Sequence, residues 1–344
     1  MMKRTATTLA LLTASSVFTD CQCPPDCQVP CTAVWVKPQN DIGLTTSADF
    51  LYWQANADGI AYGTIANYFA NISAPPSSAG QSFSGNNLFL DFKFDPGARV
   101  IVGVRPRHDQ WQLDATWTFL YSHATGASNN PNEILGPIVN PSYGVPTALA
   151  NNGINAKASW WSHYNTIDLD MNKGLAFGRC FGLKAHLGLR NLWLNQRYNI
   201  YSLNEYNTSP TVFADGWVNM EQKIWGLGPL VGLDSIWKAY RWFSVIGKAS
   251  CSLLWSHVHS TYRGYFGYDR TQLSNALTTI HTTLPEIGLM IGAQFDTNLC
   301  GSYHFMANLG WEFHSVFNMN YFGTYLSAGQ FNMRGLTAGL GFDY

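Results

Sequence analysis

Charge is what this chain has least of. Asp, Glu, Lys and Arg make up 12% of its 344 residues, against about 25% in a soluble domain, so little of its surface is suited to water. Long apolar runs are missing too. Past the N-terminus no stretch approaches the roughly 20 apolar residues of a membrane helix, although 46% of the residues are hydrophobic and 15% aromatic. Mean hydropathy is near zero, so the apolar residues are spread thinly and regularly. Sustained helical periodicity is absent. The net charge is -1, with no basic stripe and no acidic tail, which argues against nucleic acid and strongly charged partners. The length allows two soluble domains or one large β architecture. Alternating strands that face lipid on one side would give this composition.

The N-terminus reads as an export signal, expected over residues 1–20. Met1-Met2-Lys3-Arg4 is a positive n-region, Leu9-Ala10-Leu11-Leu12 sits in a short apolar h-region, and Ala14, Ser15 and Ser16 are small residues near a cleavage site. Asp20 before Cys21 argues against a lipoprotein signal. Residues 21–45 then form a periplasmic segment in which Cys21, Cys23, Cys27 and Cys31 crowd together, while Cys180, Cys251 and Cys300 are scattered. Clustered thiols can hold zinc. In an exported chain the oxidising compartment favours disulfides, so these four are disulfide candidates and no metal is expected. The odd total of seven leaves a thiol for another chain.

From residue 46 to 344 one domain is expected. Runs with a period of two alternate with Asn-, Ser-, Gly- and Pro-rich segments. In Trp111 to Ser122, one face is Trp111, Leu113, Ala115, Trp117, Phe119 and Tyr121, and the other is mostly polar. Phe243 to Ser256 and Tyr303 to His314 repeat the layout, with aromatics near the strand ends. Such strands suit a transmembrane barrel with aromatic girdles better than a sandwich, whose strands average about 5–6 residues. Short connections at 106–109 and 298–301 alternate with long polar ones at 56–87, 124–156, 204–216 and 264–279. Short turns on one side and long loops on the other match periplasmic and extracellular ends. The fold class is therefore all-β: a transmembrane antiparallel β-barrel of about ten strands, with eight to twelve possible. The strands are expected at 47–55, 88–105, 111–122, 158–173, 182–201, 217–234, 243–260, 281–297, 303–317 and 330–344. Asp95-Pro96-Gly97 falls inside the second as a bulge or bend. Twelve strands result if the first long loop holds a hairpin.

The last strand carries a specific signal. Thr337, Gly339, Phe342 and Tyr344 give a polar residue, a glycine and two aromatics spaced by one at the chain end, as expected where a final strand must close the sheet in lipid. Further stretches are Ala48-Asp49-Phe50-Leu51-Tyr52-Trp53, Asp95-Pro96-Gly97, Leu187-Gly188-Leu189-Arg190, Trp193-Leu194-Asn195-Gln196, Gly226-Leu227-Gly228-Pro229 and Gly232-Leu233-Asp234. In this order they resemble the major outer membrane protein-like family of chlamydiae and Legionella. The resemblance implies a porin-like barrel in the cell outer membrane, surface exposure, and disulfide cross-linking within the envelope, a role that the N-terminal cysteines suit.

If the apolar faces meet lipid, the opposite faces line the lumen. The pore-lining candidates are Arg99, Asp114, Asp168, Asp170, Lys184, His186, Arg190, Lys248, Glu286 and Glu312, with Asp91, Lys93 and Arg105 beside them. Charges of both signs would orient polar solutes in a constriction, or they would pair and plug a narrow barrel. The two stand level on physics, and the resemblance favours a pore that passes ions and small hydrophilic solutes. The alternative is a non-conducting structural or adhesive barrel. Arg190 either attracts anions or bridges Asp168 or Asp170. An enzyme is not expected: there is no G-x-S-x-G elbow and no phosphate-binding fingerprint, and His257-Val258-His259 reads as interfacial. No cofactor is expected. The expected partners are outer-membrane lipid, the barrel-assembly machinery, and disulfide-linked envelope proteins or further copies of the chain.

Overall fold

The structure is a computed structural model, and it describes residues 43–66, 85–106, 111–129, 134–136, 153–177, 180–206, 212–240, 242–266, 271–299, 303–320 and 329–343. Its elements are β1 (Gly43–Ala57), β2 (Ala61–Ala66), β3 (Gly85–Phe89), β4 (Asp91–Phe92), β5 (Phe94–Arg105), β6 (Trp111–Asn129), β7 (Ile134–Gly136), β8 (Gly153–Phe177), β9 (Phe181–Tyr206), β10 (Val212–Tyr240), β11 (Phe243–Phe266), β12 (Thr271–Leu299), β13 (Tyr303–Asn320) and β14 (Gly329–Asp343).

Ten of these close into an antiparallel barrel, β1-β5-β6-β8-β9-β10-β11-β12-β13-β14, with β14 paired back onto β1. The short β4 extends β5 along β6. Leaving β1 at Thr45, the paired residues run through Gly103, Asp114, Asp170, Gly188, Leu230, Ser252, Glu286, Val316 and Phe331 and re-enter β1 at Ala57, twelve residues on. Ten strands with that stagger tilt by about 40° and put the backbone about 10 Å from the axis. Side chains from opposite walls therefore meet across the interior.

The outward face changes character along each strand. On β10 the outward residues Trp237, Leu233, Val231 and Leu227 are exposed and apolar. Beyond Trp225 they become Lys223, Glu221 and Asn219. Trp225 and Trp237 lie twelve residues apart, about 30 Å along the axis after tilt, close to the apolar band of a transmembrane barrel, about 25 Å tall. Tyr121 and Trp255 rim its upper edge with Trp225, and Trp111, Phe177, Trp242, Phe295 and Phe342 rim its lower edge. The lower edge adjoins the short turns, which places those turns in the periplasm. The inward face changes in the opposite sense: charged residues lie level with the lipid band, while Leu194, Ile224, Val258, Trp160 and Ile200 are buried inside the wall above it. Above the bilayer the barrel is ordinary soluble β structure, with an apolar interior and a polar exterior.

Several strands run well past their expected ends. β10 and β12 have 29 residues each, against about 9–11 needed to span. Most of the expected loops at 264–279 and 204–216 are strand. The first long loop does hold a hairpin, β2–β3, but it joins β7 in a separate three-stranded sheet, so the barrel count stays at ten. Ile60, Tyr62 and Leu90 from this region are buried in the same cluster as the inward residues of the outer half.

Asp95-Pro96-Gly97 lies within the strand, as expected. The β5–β6 ladder ends at Gly97↔Leu120, and the β4–β6 ladder resumes at Phe92↔Ala124, so one extra residue is accommodated on the β4–β5 side. Pro96 has no N–H to give the ladder, and the His123 N–H donates instead to Asp95 Oδ2 at 3.0 Å. This bulge reverses the faces above it. Phe92 turns inward against Trp160, while Asp91 and Lys93 are exposed. The expectation that those two charges line the lumen is thereby corrected.

Candidate functional site

The ten candidate lumen residues all belong to inward faces, and five of them join one network. Arg99 on β5 holds Glu312 on β13 with two bonds, of 2.8 and 3.1 Å. Arg99 also lies 3.6 Å from Asp49 on β1, and its guanidinium stacks 5.4 Å from the Trp53 ring. Arg190 on β9 holds Asp168 on β8 with two bonds, of 2.8 and 2.7 Å, and donates to Glu286 on β12 at 2.6 Å. His314 stands between the halves, 2.7 Å from Glu312 and 3.6 Å from Glu286. The result is a continuous path, Asp49–Arg99–Glu312–His314–Glu286–Arg190–Asp168, contributed by six strands across the bore. Thr337 donates to Glu312 at 2.8 Å, and Ser252 donates to Glu286 at 3.2 Å. Every member of the path is at most 9% exposed.

Arg190 thus pairs with Asp168, one of the two carboxylates expected for it, and its second partner is Glu286 on β12. Both bidentate pairs have the fork geometry that gives guanidinium–carboxylate contacts their strength. The glutamate oxygens take further bonds from His314, Thr337, Ser252 and Tyr164, which is what charges need to tolerate burial, while His314 Nδ1 has no hydrogen-bond partner.

Outward of the network the bore is filled by Leu51, Trp53, Leu120, Leu192, Leu254, Leu284, Val316, Phe331 and Met333, all buried. Higher still, Trp160 donates to Gln196 at 3.1 Å, and Gln222 donates to the Met319 carbonyl at 2.7 Å.

Toward the short turns the interior opens into a cavity of about 260 Å³ with the network as its floor. Its walls carry Asp114, Asp170, Lys184, His186, Asp234 and Lys248. Lys184 and Asn172 hold Asp114 at 3.2 and 2.7 Å, and Arg105 lies 3.5 Å from Asp343. His186 lies 3.9 Å from Asp170 and 3.8 Å from Asp234.

On the last strand, Thr337 and Gly339 face inward and Phe342 faces lipid, packed on Phe305 at 5.1 Å. Tyr344, the cluster Cys21, Cys23, Cys27 and Cys31, and the export signal lie outside the described residues. Cys251 carries a free thiol on the lipid-facing wall. His257 and His259 sit on the outer wall, and among the described residues no group of three or more metal-ligating side chains assembles.

Sequence reasoning missed Asp49 and the pivotal place of His314. Both were legible in part: Asp49 shares an inward parity with Leu51 and Trp53, and His314 shares one with Glu312. The partnerships across the bore were not legible, because they join strands distant in sequence.

The family described as Legionella pneumophila major outer membrane protein precursor matches residues 36–344. The chain belongs to this family. Its place is accordingly the outer membrane of a Gram-negative type of envelope. No curated protein matches the chain. Similar solved structures include the outer membrane protease OmpT of Escherichia coli, with 11% identity and a TM-score of 0.41 over 88% of this chain and 96% of that one. A major outer membrane protein of Thermus thermophilus follows, with 9% identity and a TM-score of 0.32 over 88% and 99%. The attachment invasion locus protein Ail of Yersinia pestis has 8% identity and a TM-score of 0.24 over 88% and 98%. None of these transfers an activity to this chain.

Proposed function

We propose that this outer-membrane barrel is closed to solutes at rest and serves the envelope as a structural, surface-displaying protein. The observation that carries this reading is the buried path from Asp49 to Asp168, backed by a layer of buried apolar side chains that fills the bore above it. Ions crossing it would have to displace two bidentate Arg–carboxylate pairs and then enter an apolar interior, which is costly for a charge. The tall wall beyond the lipid band suits display at the cell surface. Assembly would run through machinery that reads the last strand, and the cysteine-rich segment would tie the barrel to the envelope. The reading needs no cofactor and no catalysis: His314, the buried histidine, is taken up by two glutamates.

A second reading, passive diffusion, is favoured by the charged cavity on the periplasmic side, which is half of a conduction path. Single-channel recording in a planar bilayer separates the two. With circular dichroism confirming the folded barrel, the closed reading expects no discrete current steps at moderate voltage. Steps from the unmodified protein would overturn it and install the diffusion channel.

A further inference from the structure

Among the described residues, the outer wall at and above the upper aromatic rim carries chemistry that the barrel itself does not use. Three neighbouring rows of outward residues cross β6, β8, β9, β10, β11 and β12 here. The lowest is Phe119, Asn165, Trp193, Trp225, His257 and His281; the next is Tyr121, His163, Asn195, Lys223, His259 and Thr279; the highest is His123, Trp161, Arg197, Glu221, Thr261 and Leu277. These rows hold two permanent cations and five imidazoles against one carboxylate, Glu221. Lys223 and Arg197 both reach that carboxylate, at 3.3 and 3.5 Å, so it cannot satisfy both fully. Their side chains are 58% and 69% exposed. His281 stacks on Trp255 at 5.7 Å and lies 4.8 Å from His257, while His163 packs edge-on to Tyr121 at 4.6 Å. The aromatic neighbours hold these rings on the wall and leave their polar edges available.

We infer that this patch binds the phosphate groups of phosphorylated lipid headgroups in the outer leaflet. Height, donor type and charge agree. Lys223 is the next outward residue beyond Trp225 and His257 the next beyond Trp255, so the basic groups stand where the apolar band ends, which is the level of headgroups and not of acyl chains. Lys, Arg and imidazole N–H groups are the donors that phosphate oxygens accept from, and Arg adds a fork. Basic residues beside an anionic leaflet attract it at about 1 kcal/mol each. Trp225 and Trp255 below them lie beside the upper ends of the acyl chains of the same lipid. Such binding would anchor the barrel laterally and fix its depth, and it does not depend on whether the lumen conducts.

The test is lipid retention by the full chain refolded into vesicles of phosphatidylcholine doped with a bisphosphorylated glycolipid. After gentle detergent extraction, native mass spectrometry counts the lipids that remain bound. The unmodified protein is expected to retain the phosphorylated lipid in preference to its dephosphorylated counterpart. Arg197→Gln with Lys223→Gln should weaken retention by about 30-fold, the product of two basic contacts. Adding His259→Asn should weaken it further. These side chains are exposed, so unchanged melting in phosphate-free detergent checks that the variants fold. Equal retention by wild type and variants, or equal retention of the dephosphorylated lipid, would overturn the inference. So would complete displacement by millimolar inorganic phosphate, which would make the patch a site for free anions instead of lipid.

Discussion

Arg190 shows how much a single buried charge depends on its neighbours. It compensates Asp168 and Glu286 together, and both carboxylates are nearly inaccessible to water. Removing it by Arg190→Ala leaves Asp168 as a buried anion without a cation and Glu286 with His314 alone, which is expected to cost about 3–5 kcal/mol. Urea titration of the refolded protein in vesicles, followed by tryptophan fluorescence, reads this loss. Adding Asp168→Asn to Arg190→Ala should restore part of the lost stability, because one unpaired charge is then removed. No rescue by the second change would mean that the two side chains act independently. His314 belongs to the same scale. It was visible in the sequence as an inward neighbour of Glu312, yet only the ring of strands brings Glu286 to its other side.

At the scale of elements, the seam between β14 and β1 and the change of polarity along β12 carry the weight. A side chain at Gly335 would run into the Tyr52 carbonyl and the Trp53 backbone and indole on β1, a close approach that only glycine allows. Gly335→Val should therefore impair closure. The measurement is the fraction of protein that migrates as the compact, heat-modifiable form in SDS gels, expected to fall by more than half. On β12, Leu289 and Thr279 point to the same side of the strand, Leu289 toward lipid and Thr279 above it. Leu289→Arg should cost about 2–4 kcal/mol, whereas Thr279→Arg should change stability by less than about 0.5 kcal/mol. Equal costs for the two, in parallel urea titrations, would put the membrane boundary elsewhere. The alternation that revealed these strands failed at their outer ends for a physical reason. Above the bilayer the outward residues turn polar, so stretches such as Thr278–Thr283 lose the apolar stripe that marks a strand in lipid.

For the molecule as a whole, the barrel's two halves obey opposite rules. The lower half is apolar outside and polar inside. The upper half is a soluble β-barrel, and it should respond to core mutations as one. Leu254→Ala, inside the wall, is expected to cost about 2–5 kcal/mol by cavity formation, measured by the same urea titration, and to leave the bilayer current silent. Conduction after this single truncation would show that the apolar layer is the seal. Silence after it, with conduction only when the Arg–carboxylate path is broken, would place the seal in the network.

The sequence by itself determined the class of the molecule, a barrel of about ten antiparallel strands, and the two alternating faces of nearly every strand. Low charge, a period of two and aromatic strand ends are local properties, and each follows from the solvent that a strand faces. The tertiary structure alone decided whether the inward charges line a bore or fill it. That outcome depends on the stagger and radius of the closed sheet, which set the distance from Arg99 to Glu312 and from Arg190 to Glu286. It also decided the parity of Asp91 and Lys93, because one extra residue beside Pro96 turns the strand over, and the placing of that residue is settled by pairing with β6.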